Sequence, residues 1–137
     1  MDVTMAINGA IAGLVSITAD PLSPAGGTAV IVGAIGGAIV YFSIVFLEKA
    51  GVDDPVGAIS AHGTVGIYGV LVVSLTGGAS FIGQLTGVVM IAAFTYLASL
   101  ATIYVINMAM PIRASDAEQE AGLDISEVGI EAYPEFK

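Results

Sequence analysis

The sequence predicts an all-α, multi-pass transmembrane helix bundle of about four helices, followed by an acidic tail. Three observations predict it. Of 137 residues, 56% are hydrophobic and only 11% are charged, too few charges to clothe a soluble domain of this size. The charges are also unevenly placed: no Asp, Glu, Lys or Arg occurs from Val3 to Ala19, from Pro21 to Leu47, or from Pro55 to Ile112. A helix needs roughly 20 apolar residues, at about 1.5 Å each, to cross the hydrocarbon core. The first run therefore makes one short crossing, the second makes one, and the third makes two. Finally, seven of the twelve acidic residues follow Arg113: Asp116, Glu118, Glu120, Asp124, Glu127, Glu131 and Glu135. The formal charge of −9 thus belongs mainly to the tail.

The first helix is expected over about 4–18. It stops at Asp20-Pro21-Leu22-Ser23-Pro24, where two prolines and an aspartate make a loop. Asp2 stands where a leader would carry basic residues, and Thr4 and Asn8 interrupt the apolar run, so the segment reads as a membrane helix rather than a signal peptide. The second helix is expected over 25–47, with Gly51 as its C-terminal stop. For the third, over 55–76, Asp54 makes a good N-cap, and Pro55 at the first helical position gives up no needed N–H. Gly77-Gly78-Ala79-Ser80 breaks the run before a fourth helix over 81–108, long enough to tilt. Residues 1–112 form the membrane part and 113–137 the tail.

Lys49 follows the second helix and Arg113 the fourth, while the loops after the first and third carry no Lys or Arg. The positive-inside rule then places Lys49, Arg113, the tail and Met1 in the cytoplasm of a cell-membrane protein. In the tail, Ser115-Asp116-Ala117-Glu118 fits a capping box and Gly122 closes a short helix. Asp124-Ile125-Ser126-Glu127 starts a further turn, and Tyr133 and Phe136 supply apolar anchorage. This pattern favours a tail that docks over a solvated acidic terminus.

Several of the 18 glycines recur at helical spacing: Gly9 with Gly13, Gly33 with Gly37, and Gly83 with Gly87. Small residues four apart let helix backbones approach closely in lipid. His62 is the only histidine, and an α-helical third segment places Ala58, Gly66 and Gly69 on its face, at i−4, i+4 and i+7. Such small neighbours leave room for another helix or a small solute. A neutral imidazole offers one N–H donor and one acceptor, enough to carry a proton or to hydrogen-bond a polar solute. A helix–helix hydrogen bond without a transport role is the alternative. Within a membrane, an ionisable residue is a functional candidate by default.

Other chemistry is excluded on composition. Three basic residues make no nucleic-acid surface. With one histidine, no cysteine and no intramembrane carboxylate, neither a metal site nor a thiol nucleophile can be assembled. No nucleophile–base pair or phosphate-binding loop is visible, so neither an enzyme nor a cofactor is expected.

The run Asp53-Asp54-Pro55-Val56-Gly57-Ala58-Ile59-Ser60-Ala61-His62-Gly63-Thr64-Val65-Gly66-Ile67 resembles the DDP…HG…GI segment of ammonium transporters of the Amt/Mep/Rh superfamily. Ile112-Arg113-Ala114-Ser115 followed by Glu118-Gln119-Glu120-Ala121-Gly122-Leu123-Asp124 is similar to the family's LR…EE…GLD cytoplasmic stretch. Glu131-Ala132-Tyr133 is similar to its terminal E-A-Y, and Asn8 to Val15 to its eighth membrane helix. The resemblance implies a partial ammonium transporter fold, with the four helices as the family's eighth to eleventh. The first seven helices, with the outer ammonium site and the other pore histidine, would come from elsewhere on the polypeptide or from another chain. It further implies ammonium or ammonia as substrate, the lipid bilayer as surroundings and a homotrimeric assembly. His62 would be the second pore histidine, and Asp54 with Pro55 a structural helix start. Gly122, Leu123, Asp124 and Ser126 would belong to a regulatory tail that binds a PII-type signal protein. Ser126 falls where plant relatives carry a phosphorylated threonine, and Val128 replaces a frequent family histidine. A different class remains open: a non-conducting regulatory or assembly subunit that joins a full transporter.

Overall fold

The computed structural model describes residues 3–132, 134 and 135. The positions expected for Met1, Tyr133 and Phe136 lie outside the described residues. Among the described residues all regular structure is helical: α1 (Val3–Ile17), α2 (Gly26–Lys49), a π-helical segment (Ile59–Thr64) running directly into α3 (Val65–Thr76), α4 (Phe81–Ala109), α5 (Asp116–Ala121) and a second π segment (Asp124–Val128). Gly26–Lys49, Ile59–Thr76 and Phe81–Ala109 are each long and apolar enough to cross a membrane, and α1 is a shorter apolar helix. The protein is therefore a multi-pass helical membrane protein. It divides into two compact units, Met1–Ala92 and Ala93–Lys137.

In the first unit α1, α2 and the π–α3 rod pack together around Ala12, Val40, Ala61 and Val65, flanked by Ile11, Val15, Ile39, Ile44 and Tyr68. The small size of these side chains is what brings the helices close. A Cβ added to Gly33 would lie 3.5 Å from the Gly13 carbonyl oxygen, and one added to Gly37 would lie 3.8 Å from that of Gly9. The two glycine pairs read from the sequence thus face each other, in a register that runs α1 and α2 antiparallel. The third pair behaves differently. An added Cβ would meet only Ser80 at Gly83 and nothing within 4 Å at Gly87, and α4 buries no residue.

Polar ties cross the same bundle. The Tyr68 hydroxyl donates to the Val32 carbonyl at 3.4 Å, and the Ser43 and Thr64 hydroxyls lie 2.9 Å apart. At the end of α2, Gly51 has φ 73° and its N–H donates to the Glu48 carbonyl, the stop expected of it.

The expected start of the third helix is corrected. Pro55 is not the first helical residue: it sits inside a turn closed by the Gly57 N–H donating to the Asp54 carbonyl at 3.0 Å. Asp first, Pro second and Gly fourth is a favoured β-turn order. Gly57 has φ 71°, a left-handed conformation that no helix interior accommodates, so the regular rod begins only after it.

In the second unit the capping box forms as read. The Ser115 hydroxyl accepts from the Glu118 N–H, and the Glu118 carboxylate accepts from the Ser115 N–H at 2.7 Å. Gly122, with φ 95°, ends α5.

A candidate transport site around His62

The site is built on the turn just described. The Asp54 carboxylate accepts from the backbone N–H groups of Ile59 and Ser60, each at 3.0 Å. Asp54 is not the N-cap residue expected, a position that Ala58 holds; its carboxylate instead reaches across the turn to the first residues of the π segment, where unpaired N–H groups carry partial positive charge. Burial pushes its carboxyl up, but the donors on Ile59, Ser60 and Ala58 outweigh it and hold the group below the usual 3.8. Ser60 itself is fully buried, and its hydroxyl closes no hydrogen bond of ordinary geometry.

From this anchored start the π segment carries His62. Its neighbours Ser60 and Ala61, and Val65 beyond it, are buried against α1 and α2, whereas His62, Ile59, Gly63 and Ile67 are exposed. The histidine thus lies on the face of the rod that its own bundle leaves open. Among the described residues nothing hydrogen-bonds to its imidazole, and no group of acidic or histidine side chains could hold a metal ion.

The shared face expected for His62 is corrected in one respect. Ala58 is exposed with it and Gly66 is half-buried, but Gly69 is buried on the other side, where an added Cβ would lie 3.0 Å from the carbonyl oxygens of Val15 and Ser16. The cause is the π segment. Its hydrogen bonds span five residues rather than four, so each residue advances less around the axis and Gly69 rotates away from the histidine. Gly69 instead seats α3 against α1.

The tail residues lie in the second unit. The Gly122 N–H donates to the Glu118 carbonyl, and its own carbonyl accepts from the Ser126 N–H at 3.1 Å. Leu123 is exposed. Asp124 holds the segment together, its carboxylate accepting from the N–H groups of Ala132 at 2.7 Å and Ile125 at 3.0 Å. The Ala132 donor, helped by Ile125, keeps its carboxyl below the ordinary value against a smaller opposing effect of burial.

One participant was missed by sequence reasoning. Asn8 is 4% exposed and packs its amide on Gly57, beside a cavity of about 270 Å³ that also touches Glu48, Asp53 and Asp54. The available signal was an asparagine inside an apolar helix, a residue that needs a polar neighbour.

A histidine set in an apolar span, on the open face of a close-packed helical bundle, makes this a polytopic membrane protein with an ionisable group inside one of its spans. The family model described as Ammonium Transporter Family matches residues 1–133, and the chain belongs to that family. It is similar to the ammonium transporter Amt2 of Archaeoglobus fulgidus, with 33% identity over 156 residues that cover 98% of this chain and 33% of that protein. It is also similar to Amt2 of Methanocaldococcus jannaschii (34% over 145 residues; 98% of this chain and 34% of that protein). The ammonium transporter of Bacillus subtilis shows 31% identity over 150 residues, covering 93% of this chain and 36% of that protein. The chain thus spans roughly a third of the length of these curated relatives.

Proposed function

We propose that this chain forms part of a pore for ammonium or ammonia, with His62 on its wall. The observation that carries the reading is the exposure of His62 on the one face of the π–α3 rod that α1 and α2 do not cover. Ionisable residues within membranes face a bundle interior or an aqueous cavity rather than lipid. That face is therefore where the rest of a pore closes, supplied by further helices of the same polypeptide, by another chain, or by a homotrimeric assembly. In this reading Asp54 and Pro55 hold the rod that presents the imidazole. The names of the relatives supply the substrate.

The membrane is the cell membrane and the tail is cytoplasmic, on the positions of Lys49 and Arg113. There the folded acidic segment containing Gly122, Leu123, Asp124 and Ser126 offers a surface for a PII-type signal protein. That folded tail also favours a second reading, a non-conducting regulatory subunit that joins a complete transporter.

The test is uptake of labelled methylammonium, with proton flux, by the complete protein carrying His62→Ala. Lower flux or altered proton coupling with assembly intact is the expected result. Unchanged flux, selectivity and coupling would remove His62 from the pathway. Co-purification with an intact transporter, without flux by the chain alone, would favour the second reading.

A further inference from the structure

The cavity of about 270 Å³ beside Asn8 lies between α1, the last turn of α2 and the loop leading to the π segment. Asn8 reaches it from α1, Glu48 from α2, and Asp53, Asp54 and Gly57 from the loop. Among the described residues every ionisable side chain that lines it is a carboxylate, and no Lys, Arg or His does. His62 is not part of it.

Two features point to a guest. Asn8 is 4% exposed, and no described residue hydrogen-bonds to its side-chain amide. Buried amides are normally satisfied, so this one brings spare hydrogen-bonding capacity to the cavity that it lines. Asp54 commits its carboxylate to the N–H groups of Ile59 and Ser60, whereas the carboxylates of Glu48 and Asp53 form no ion pair or hydrogen bond among the described residues. The guest these groups suit is positively charged and donates hydrogen bonds.

A chelated metal does not fit, because no three acidic or histidine side chains among the described residues converge closely enough to hold one. The room does fit a small cation with part of its hydration, since a water occupies roughly 30 Å³ of the approximately 270 Å³ available.

We propose that this cavity is a cation site separate from His62. It takes a partly hydrated ammonium ion, with Glu48 and Asp53 as counter-charges and the Asn8 amide oxygen as acceptor. The inference rests on the reading that the protein moves ammonium, and it adds a place where the ion is held at one end of the bundle.

The test is NMR of the full chain in detergent micelles, following the Asn8 side-chain amide and the Gly57 backbone amide. Ammonium chloride is titrated against choline chloride at matched ionic strength, with potassium chloride as a third arm. Saturable shifts with ammonium alone are expected. Glu48→Gln with Asp53→Asn should raise the midpoint roughly tenfold or more, and Glu48→Gln alone should raise it less. Both side chains are exposed, and dispersion of the remaining resonances reports that the variants fold. Shifts that choline reproduces, an equal response to potassium, or a double variant that titrates like the parent would each overturn the site. Binding is read here without transport. Saturable shifts together with His62-independent flux would keep this site and remove the pore reading. Absent shifts with His62-dependent flux would do the reverse.

Discussion

The side-chain amide of Asn8 rests on the Cα of Gly57: a Cβ added to Gly57 would fall 2.6 Å from Asn8 Oδ1 and 2.8 Å from its Cγ and Nδ2. This contact locks α1 to the turn that precedes the histidine-bearing rod. The turn in turn sets where the rod begins, because Asp54 at its first position caps the N–H groups of Ile59 and Ser60.

Gly57→Ala should therefore cost stability twice. The left-handed φ of 71° penalises any Cβ by about 1–2 kcal/mol, and the overlap with Asn8 adds about 1–3 kcal/mol. Asn8→Ala removes only the second cost. Denaturant unfolding in micelles, run as a double-mutant cycle, should show the pair less destabilised than the sum of the single changes. Strict additivity would show that the contact carries no energy.

Gly33→Leu and Gly83→Leu should behave oppositely. At Gly33 the added side chain meets the backbone of Gly13, which forces α1 and α2 apart at a cost of about 1–3 kcal/mol. At Gly83 it meets only Ser80, and the change for this chain should stay within about 0.5 kcal/mol. Equal destabilisation of the two variants in thermal unfolding would contradict the packing described.

These two glycines mark what could be read in advance. The spacing of Gly9, Gly13, Gly33 and Gly37 announced a close helix approach, and the Ser115–Glu118 pattern announced its capping box, because both signals are local and backbone-driven. The start of the third helix was not legible. Asp-Pro suits a helix N-terminus and a β-turn equally well, and what decides between them is the conformation of Gly57 beneath Asn8, a residue distant in sequence. The π segment was equally hidden, since nothing in Ile59–Thr64 distinguishes five-residue from four-residue hydrogen bonding. That difference turned Gly69 away from His62. Nor does a histidine in an apolar run reveal which side of its helix the neighbouring helices will cover.

Asp54 gives a signed pH dependence. Its carboxyl is lowered below the usual 3.8 in the folded protein, burial opposing and the backbone donors prevailing. The folded state therefore binds the proton more weakly than the unfolded one. The resulting stabilisation is fully present above the unfolded value and is lost as pH falls through the folded value. Asp54→Ala should cost about 0.5–2 kcal/mol at neutral pH through loss of the cap. Asp54→Asn, which can still accept from Ile59 and Ser60, should keep much of that stability while losing this part of the acid dependence. An unfolding series from pH 6 downward, in parent and variant, checks both. Parallel curves would assign the acid sensitivity to other carboxyls.

Asp124 should act as the clasp of the tail. Its carboxylate gathers the N–H groups of Ile125 and Ala132, so it ties Ala132 to the start of the second π segment without help from α5. The helix Asp116–Ala121 has its own fastening in the Ser115–Glu118 capping box. Asp124→Ala should therefore speed hydrogen exchange at Ala132 while leaving the Glu118 amide, which donates to Ser115, protected as before. Ser115→Ala should do the reverse. Because the Asp124 carboxyl is also held below its ordinary value, acid should release the Ala132 amide as pH falls through the folded value, and the clasp should be fully closed above the unfolded one. Loss of protection at both positions in either variant would mean that the tail folds as one cooperative piece, with Asp124 only one of its supports.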